Sequence, residues 1–393
     1  MQTRFSQQLL NTKQGQRADE ILRSCVHCGF CNATCPTYLL SGDELEGPRG
    51  RIYLIKEMLE GQEVSASTQQ HLDNCLTCSS CETTCPSGVK YSELFEIGKA
   101  HSDQINKRGL FNRFKRWLIR QVFPQPEIFK PLYVMATWMN MYTKPHADKY
   151  QLPTTVSDRV IILDGCVQSV TAPNINISLV KLLASRNVAA ISHRQTQCCG
   201  AIHYHNGDQE KARTIIKNNI DAWWPDIENG VKTILMTASG CGLTVKDYAR
   251  IMAADTAYAE KAKVISEITL DVSEYFANQQ LQKSAAFNNV AFHSPCTLQH
   301  GQKINGIVET VLTRSGYNIV DFADAHLCCG SAGTYSLLHA DKAEYFRDKK
   351  LANIELQNVD VIATANIGCL MHMQKGTEIP VKHWLELVTM EKL

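Results

Sequence analysis

The sequence predicts an α+β protein, in which a mostly helical N-terminal domain is followed by two α/β repeat domains with small parallel sheets. The chain has 393 residues, enough for two to three domains. Its sixteen cysteines form four quartets of two kinds, each kind used twice. After residue 158, short apolar runs alternate with helix-like stretches, which is typical of parallel sheets covered by helices.

Composition excludes several classes of protein. Hydrophobic residues make up 44% of the chain, and 40 basic residues stand against 39 acidic ones. This is not a disordered chain, and it has no global basic field for nucleic acid. The N-terminus lacks the apolar core of a secretory signal, and no window reaches the ~20 apolar residues that span a bilayer. We therefore expect a cytoplasmic, reducing environment, where cysteines more often serve metal or redox chemistry than disulfides.

The first kind of quartet is the motif Cys-x2-Cys-x2-Cys-x3-Cys-Pro, whose second copy is the first displaced by 50 residues at all four cysteines. A 4Fe-4S cluster takes four thiolates, and in two-cluster motifs the fourth cysteine ligates the neighbouring cluster. Zinc or reduced structural thiols are the alternatives, but zinc sites usually pair two knuckles. We predict two 4Fe-4S clusters, the first held by Cys25, Cys28, Cys31 and Cys85, the second by Cys75, Cys78, Cys81 and Cys35.

The segment between the two motifs, residues 47–61, predicts a helix. Ile52, Ile55 and Leu59 recur at helical spacing and mark a face that packs in a core. We therefore expect residues 1–104 to form a helical ferredoxin-like domain rather than a minimal β-rich ferredoxin.

Residues 105–157 form a connector of different character, with five of the twelve prolines. Between Lys107 and Lys130 lie seven basic residues and one acid, Glu127. An apolar face at helical spacing accompanies them: Leu110, Phe111, Phe114, Trp117, Leu118 and Val122. A basic amphipathic helix with aromatic residues can lie on an anionic membrane surface, and a helix docked on the core or on a partner subunit has the same pattern.

The second kind of quartet is a cysteine, a Cys-Cys-Gly triplet and a last cysteine. Its copies are related by a shift of 130 residues at the first three cysteines and 128 at the last. We place the two domains at residues 158–283 and 284–393. The first copy predicts strands at 159–165, 188–192 and 232–237 and helices at 174–185 and 209–223; the second predicts strands at 289–294, 318–322 and 360–364 and helices at 304–315 and 341–357. All these cysteines therefore follow strands, where open α/β sheets place their sites.

The chemistry of these eight cysteines stays open from the residues alone. Adjacent cysteines fit poorly around one small cube, but they can bridge irons in a more open cluster, cycle as a redox dithiol or bind zinc. A quinone or partner site without metal, and purely structural thiols, are further alternatives. The candidate metal or redox residues are Cys166, Cys198, Cys199 and Cys241 in the first copy, and Cys296, Cys328, Cys329 and Cys369 in the second.

At these cysteines the sequence resembles the paired cysteine-rich domains of heterodisulfide reductase-like proteins. The fullest form of that motif ends in Cys-x-x-Cys. Here Ala238 and Asn366 replace the first cysteine of that element, so each copy supplies four cysteines.

The order of the units is similar to that of the iron–sulfur subunits serving FAD-linked 2-hydroxy-acid and glycerol-phosphate dehydrogenases. The local text most resembles the glycolate oxidase (glycolate dehydrogenase) iron–sulfur subunit, in segments such as CVHCGFCNATCPTY, GDELEGPRGRIYLIK, CLTCSSCETTCPSGV, PCTLQH and HLCCGSAGTY. That resemblance implies flavin-binding partner subunits that oxidise glycolate, and association with the cytoplasmic face of the inner membrane. D-lactate as a further substrate, and a membrane quinone or similar acceptor, are expected with it. Subunits of glycerol-3-phosphate or lactate dehydrogenases, and a thiol/disulfide-reducing enzyme at the Cys-Cys-Gly sites, are the alternatives.

The sequence contains neither a G-x-G-x-x-G fingerprint nor a P-loop. We therefore expect FAD on partner subunits, and no catalytic residues for the substrate step on this chain. Histidines near the Cys-Cys-Gly quartets are individually more often satisfied polar residues than ligands, but as a group they are candidates for proton transfer to a quinone. They are His203, His205, His293, His300, His326 and His372.

Overall fold

A computed structural model describes residues 1–139, 158–196 and 198–390 of the chain. The structure divides into two compact units: one comprises Met1–Lys115 and His326–Phe346, the other Arg116–Ala325 and Arg347–Leu393. The second Cys-Cys-Gly triplet therefore belongs to the same unit as the two N-terminal quartets. The domain boundaries expected from the sequence stay predictions, and residues 140–157 of the connector lie outside the described residues.

The N-terminal part of the first unit is helical, which confirms the predicted fold class. Its helices are α1 (Gln7–Leu10), α2 (Lys13–Ser24), α3 (Pro36–Ser41), α4 (Pro48–Leu59), α5 (Ala66–Asp73), α6 (Ser80–Thr84) and α7 (Tyr91–Ile105), with 3-10 turns at Phe30–Thr34 and Glu44–Glu46. Helix α4 is the one predicted at residues 47–61, and Pro48 stands in its first turn, where proline is tolerated. Ile52, Ile55 and Leu59 are buried in the core, as their spacing predicts.

Two helices follow in the connector region, α8 (Leu110–Val122) and α9 (Pro126–Trp138). Helix α8 buries Arg116 and Ile119, whereas most of its apolar face is exposed. None of the helices in the described residues combines the length and the apolar content that a bilayer-spanning helix needs.

The first Cys-Cys-Gly repeat contains a parallel four-stranded sheet in the order β2-β1-β3-β4. Its strands are β1 (Asp158–Ile162), β2 (Val188–Ile191), β3 (Ile234–Met236) and β4 (Thr269–Asp271). Its helices are α10 (Gln168–Thr171), α11 (Asn174–Ala184), α12 (Ala201–His205), α13 (Gln209–Glu228), α14 (Ser239–Lys246), α15 (Tyr248–Ile251), α16 (Ala259–Ile268) and α17 (Val272–Phe276).

The second repeat contains a parallel sheet of the same order, β7-β6-β8-β9. The strands of this part of the chain are β5 (Gln282–Lys283), β6 (Asn289–His293), β7 (Asn318–Ile319), β8 (Val361–Thr364), β9 (Val381–His383) and β10 (Val388–Thr389). The helices are α18 (Ile307–Arg314), α19 (Tyr335–Leu338), α20 (Ala340–Glu355) and α21 (Ile367–Gln374), with a π-turn at Thr297–Gly301 and a 3-10 turn at Trp384–Leu387.

The six strands predicted in the repeats are all present, although each is shorter than predicted. The predictions missed the fourth strand of each sheet, β4 and β9, and the short antiparallel pair β5–β10. The missed strands have two or three residues. Runs of this length carry too little alternation for the sequence to distinguish them from loops.

Within the second unit the two repeats share one hydrophobic core, which draws on both sheets. Ser239, just before Cys241, links them through three hydrogen bonds. Its amide donates to Ala365 O at 3.1 Å, its hydroxyl bonds Thr297 Oγ1 at 2.7 Å, and its carbonyl accepts from Gln302 Nε2 at 2.9 Å. The cysteine-bearing loops of the two repeats are therefore fastened to each other through backbone and side-chain polar groups.

The contact between α4 and α7 generates a stability prediction. A Cβ on Gly98 would lie 2.6 Å from Ile55 Cγ1 and 2.8 Å from its Cγ2. Glycine to alanine inside a helix normally gains about 1 kcal/mol. Here we expect Gly98→Ala instead to lower the free energy of unfolding by about 1–3 kcal/mol, because the branched, buried Ile55 has no room to move.

Denaturant unfolding of the anaerobic protein measures this change. Gly109→Ala is the matched control, since a Cβ there meets no atom within 4 Å and should change stability by less than about 0.5 kcal/mol. Equal stability of the two variants would show that the helix contact is looser than described.

Candidate metal centres

The two N-terminal motifs fold into the same loop. In the first motif His27 and Gly29 adopt left-handed backbone conformations, with φ of 60° and 87°. In the second, Thr77 and Ser79 occupy the corresponding positions with φ of 49° and 59°. Such turns direct successive amide groups to the inside of a loop. Three of the four residues are not glycine, so the loop conformation is held by its surroundings rather than by local preference.

Backbone amides in these loops point at cysteine sulfur. The Thr77 amide donates to Cys75 Sγ at 3.4 Å, and the His27 amide makes the corresponding bond to Cys25, which lowers the pKa of that thiol. Burial nevertheless raises the pKa of Cys25 overall. Amide donors of this kind stabilise negative charge on sulfur.

The structure places Cys85 with the first three cysteines of the first motif. Burial raises the pKa of Cys31 to about 11, and negative charge on Cys25, Cys85 and Cys28 adds to the effect. Charge on Cys85 and Cys28 also acts on Cys25. Four sulfurs therefore converge, with the last one supplied by the other motif.

The second group is built in the same way, with Cys35 crossing over from the first motif. Burial raises the pKa of Cys81 well above the usual range, and negative charge on Cys78, Cys75 and Cys35 raises it further. All sixteen cysteines of the chain are free thiols. Buried thiols with raised pKa values resist ionisation unless a cation lies among them, so each group of four suits a metal cluster.

A buried arginine lies beside the second group. Arg51 Nη2 donates to Glu46 Oε2 at 2.7 Å, Nη1 donates to Thr37 Oγ1 at 3.0 Å, and Nε donates to the carbonyl of His71 at 2.8 Å. The Thr37 hydroxyl lies 3.3 Å from Cys35 Sγ. Each of the three guanidinium nitrogens therefore donates a hydrogen bond, although the side chain is almost fully buried.

Negative charge from the second group acts on this arginine. Burial alone would lower the pKa of Arg51, but charge on Cys75 and Cys35, among others, raises it above its usual value. Arg51 thus offers a fixed positive charge next to sulfur. Sequence analysis missed it, although Arg51 stands four residues before Ile55 and so lies on the apolar face of α4.

Two tyrosines complete the surroundings of Cys75. Tyr91 OH lies 3.5 Å from Cys75 Sγ. Tyr335, from the loop after the second Cys-Cys-Gly triplet, is buried, and its hydroxyl has no hydrogen-bond partner among the described residues. Burial raises the pKa of Tyr335, and charge on Cys75 and Cys328 raises it further. A residue of the second repeat therefore shares the environment of both cysteines.

In the first Cys-Cys-Gly repeat the structure brings all four predicted cysteines together. Hydrogen bonds link Cys198 to Cys166 and to Cys199, and Cys199 to Cys241. These bonds raise the pKa of Cys198 and of Cys241 and lower the pKa of Cys199 well below the usual range. The arrangement brings four sulfurs together at one site.

Hydrogen bonds from Asn219 on α13 and from Tyr248 hold the loop of the first triplet in place. Asn219 Nδ2 donates to Cys198 O and to Tyr248 OH, both at 2.9 Å, and Tyr248 OH donates to Cys199 O at 2.8 Å. The sequence carries a signal for this contact, because Asn219 stands on the apolar face of α13 between Ile216 and Trp223.

The triplet of the second repeat has the same backbone-to-sulfur hydrogen bond as the first. The Gly330 amide donates to Cys328 Sγ at 3.4 Å, as Gly200 does to Cys198. Gly330 has φ +88°, and a Cβ there would lie 2.4 Å from Ala343 O, so only glycine fits.

The remaining cysteines of the second repeat, Cys296 and Cys369, belong to the second unit and are both buried. Cys369 Sγ accepts a weak hydrogen bond from Asn366 Nδ2 at 3.6 Å. Asn366, one of the two residues that replace a cysteine of the fullest motif, thus contacts the last cysteine.

The histidines near these quartets differ in their surroundings. His203 Nδ1 lies 3.4 Å from Asp208 Oδ2, and burial lowers the pKa of His203. The charge of His205 lowers the pKa of Cys199. His293 is buried, and neither of its ring nitrogens has a partner in the described part of the chain. His300, His326 and His372 each interact with neighbouring groups.

Comparison with known proteins supports both kinds of site. Residues 21–89 match the family model described as a 4Fe-4S dicluster domain, and residues 160–246 and 290–374 match the cysteine-rich domain with the Cys-Cys-Gly motif. The chain is 46% identical to the glycolate oxidase iron-sulfur subunit of Escherichia coli (strain K12), over 99% of this chain and 98% of that protein. It is 27% identical to a probable glycolate oxidase iron-sulfur subunit of Bacillus subtilis (strain 168), over 92% and 91%. Lactate utilization protein A of Geobacillus sp. (strain WCH70) is 22% identical over 58% of this chain and 98% of its own length.

The buried Arg51 generates a prediction. Removing its charge in Arg51→Met leaves the Glu46 carboxylate buried without its cation, and breaking a buried pair costs about 3–5 kcal/mol. We expect that loss in the free energy of unfolding, measured by denaturant titration under anaerobic conditions. Arg23→Met, which removes the exposed partner of Asp19, is the control and should cost less than about 1 kcal/mol. A similar cost for both would mean that the buried pair contributes no more than a surface pair.

Proposed function

The chain belongs to the family of glycolate oxidase iron–sulfur subunits, and we propose that it is the electron-transfer subunit of a flavin-dependent complex that oxidises glycolate. The single observation that carries this proposal is the 46% identity to the Escherichia coli subunit over 99% of the chain. The convergence of eight cysteines in two groups of four supports it. Similarity to lactate utilization protein A supports a wider 2-hydroxy-acid class that includes D-lactate.

The ligands of the two 4Fe-4S clusters are part of the proposal. The first cluster is held by Cys25, Cys28, Cys31 and Cys85, and the second by Cys75, Cys78, Cys81 and Cys35. Such clusters supply one-electron carriers, which divide the two-electron oxidation at a flavin into single transfers. The chain's own groups set the charge around them: the amides of His27 and Thr77 donate to sulfur, and Arg51 provides a buried cation.

The substrate step takes place on other polypeptides in this proposal. FAD is bound by flavin-binding partner subunits, and this chain contributes no residue that acts on the 2-hydroxy acid. The acceptor of the electrons is a membrane quinone or a similar molecule. The Cys-Cys-Gly quartets, including Cys166, Cys198, Cys199 and Cys241, are candidate ligands of a further iron–sulfur centre.

We further propose that α8 lies on the anionic surface of the inner membrane, on its cytoplasmic side. Leu110 and Phe111 are 82% and 81% exposed, and Phe114, Trp117 and Leu118 are exposed as well. Exposed aromatic and aliphatic side chains on one amphipathic helix are typical of helices that lie in a membrane interface. Lys107 and Arg113 nearby are exposed too and would meet anionic head groups.

The exchange of fourth cysteines between the motifs gives a double-variant test. Cys28→Ala and Cys85→Ala should each remove one cluster and about four irons per chain, because both serve the first cluster. Combining them should remove no further iron. Combining Cys28→Ala with Cys35→Ala should remove about eight irons and both 4Fe-4S signals, because Cys35 serves the second cluster.

Iron analysis and electron paramagnetic resonance of the anaerobically purified chain give the readout. Val26→Ala, an exposed non-ligand between Cys25 and His27, is the control and should keep all its iron. If the pair Cys28 and Cys85 loses both clusters, the proposed exchange of cysteines is wrong. If Cys28→Ala keeps its full iron content, the ligand assignment itself is wrong.

The membrane contact predicts vesicle binding. The purified chain should float with phosphatidylglycerol vesicles, and the triple change Phe111→Glu, Phe114→Glu and Trp117→Glu should abolish flotation, because it places charge in the apolar interface. Leu356→Glu, at an 80% exposed position elsewhere, is the control and should float normally. If the triple variant floats like the wild type but no longer associates with the flavin-binding subunits, the face contacts a partner subunit instead.

A further inference from the structure

The carboxyl ends of two neighbouring strands in the second repeat hold buried polar atoms without partners. His293 ends β6 and pairs in register with Thr364, which ends β8. Both side chains are buried, and neither the two ring nitrogens of His293 nor Thr364 Oγ1 has a hydrogen-bond partner in the described part of the chain. Leaving such a group buried and unsatisfied is unfavourable, so three such atoms together point to a ligand at this place.

A second histidine in the same sheet shows how this fold satisfies an imidazole with a structural role. His383 on β9 is as deeply buried as His293. Its Nε2 bonds the carbonyl of Thr237 at 2.9 Å, and its Nδ1 accepts from the Leu385 amide at 3.2 Å. His293 has neither kind of bond, so packing alone does not explain it.

A cysteine sulfur lies within reach of the unpartnered ring. One ring nitrogen of His293 lies within 4.8 Å of Cys369 Sγ. Metal–nitrogen bonds of about 2.0 Å and metal–sulfur bonds of about 2.3 Å together span at most about 4.3 Å, so a small rotation of the ring or of the thiol on binding would let one metal ion reach both donors. An imidazole nitrogen without a hydrogen-bond partner can offer its lone pair to a metal ion.

The position in the sheet is the one where α/β folds bind ligands. The order β7-β6-β8-β9 places the switch point between β6 and β8, at whose carboxyl ends His293 and Thr364 lie. The first repeat has the same order, but the residues at the corresponding positions, shifted by 130 and 128, are Leu163 and Met236. Leucine and methionine carry no polar hydrogen-bonding side-chain group, so the unpartnered polar atoms at these two strand ends distinguish the second repeat from the first.

We propose that His293 is a nitrogen ligand of a metal centre in the second repeat, with Cys369 as a sulfur ligand. An imidazole and a thiolate together suit iron or zinc. The histidine supplies a donor in the repeat where Asn366 replaces a cysteine of the fullest motif. The first repeat has Leu163 at the position of this histidine. This centre is additional to the two 4Fe-4S clusters, on which the proposed function rests.

Metal analysis of the full chain, purified anaerobically, tests the proposal. The wild type should contain iron or zinc beyond the about eight irons of the two 4Fe-4S clusters. His293→Leu, which introduces the residue of the first repeat, should lose metal while both 4Fe-4S signals remain. His293→Cys, which restores a metal-binding donor, should keep the metal.

Two further variants separate ligation from packing. His293→Gln keeps a polar side chain capable of hydrogen bonds but is a poor ligand for these metals, so it should lose the metal as His293→Leu does. His300→Leu, another histidine of the same repeat, should keep it. Full metal content in His293→Leu or His293→Gln, or a wild type with no metal beyond the two clusters, would overturn the proposal and leave the proposed function intact. A wild type without 4Fe-4S signals would instead overturn the proposed function.

Discussion

The convergence of thiols in two groups of four is the constraint on which the first unit depends. Charge on Cys85 acts on cysteines of the first motif, and charge on Cys35 acts on a cysteine of the second, so each group depends on the folding of both loops. Sulfurs that lie close together repel once they are ionised. Backbone amides at His27 and Thr77, which donate to sulfur, and the buried cation of Arg51 reduce this repulsion.

The second group has more polar side chains around it than the first, because Arg51, Tyr91 and Tyr335 all lie near its sulfurs. Arg51 is held in place by Glu46, Thr37 and a backbone carbonyl, and its charge acts on Cys75 and Cys35. A hydrogen-bond donor or a positive charge beside cluster sulfur stabilises the state with the added electron and so raises a reduction potential. Because Tyr335 belongs to the loop of the second Cys-Cys-Gly triplet, part of this environment comes from the C-terminal half of the chain.

The fold class, the helical N-terminal domain and the parallel sheets could be predicted because they depend on local periodicity and on repeated spacing. Helix α4 and the six strands of the repeats follow from runs of apolar residues that the chain shows directly. The partners of Arg51 could not be predicted, because they are separated from it by up to 20 residues and joined only by folding. His293 was grouped with five other histidines, and only the absence of ring partners in the described residues distinguishes it. Very short strands such as β4 carry no periodicity that would reveal them.

Two repeats with one topology thus present different chemistry at the same place. In the first, Cys199 accepts hydrogen bonds from two thiols, and these bonds lower its pKa. In the second, an imidazole at the end of β6 lies beside the last cysteine. The strand order is the same whether leucine or histidine stands at this position, since Leu163 directly follows β1 and His293 ends β6. A duplicated scaffold can therefore acquire a new donor through one side chain at the switch point, where substitution affects the site but not the sheet.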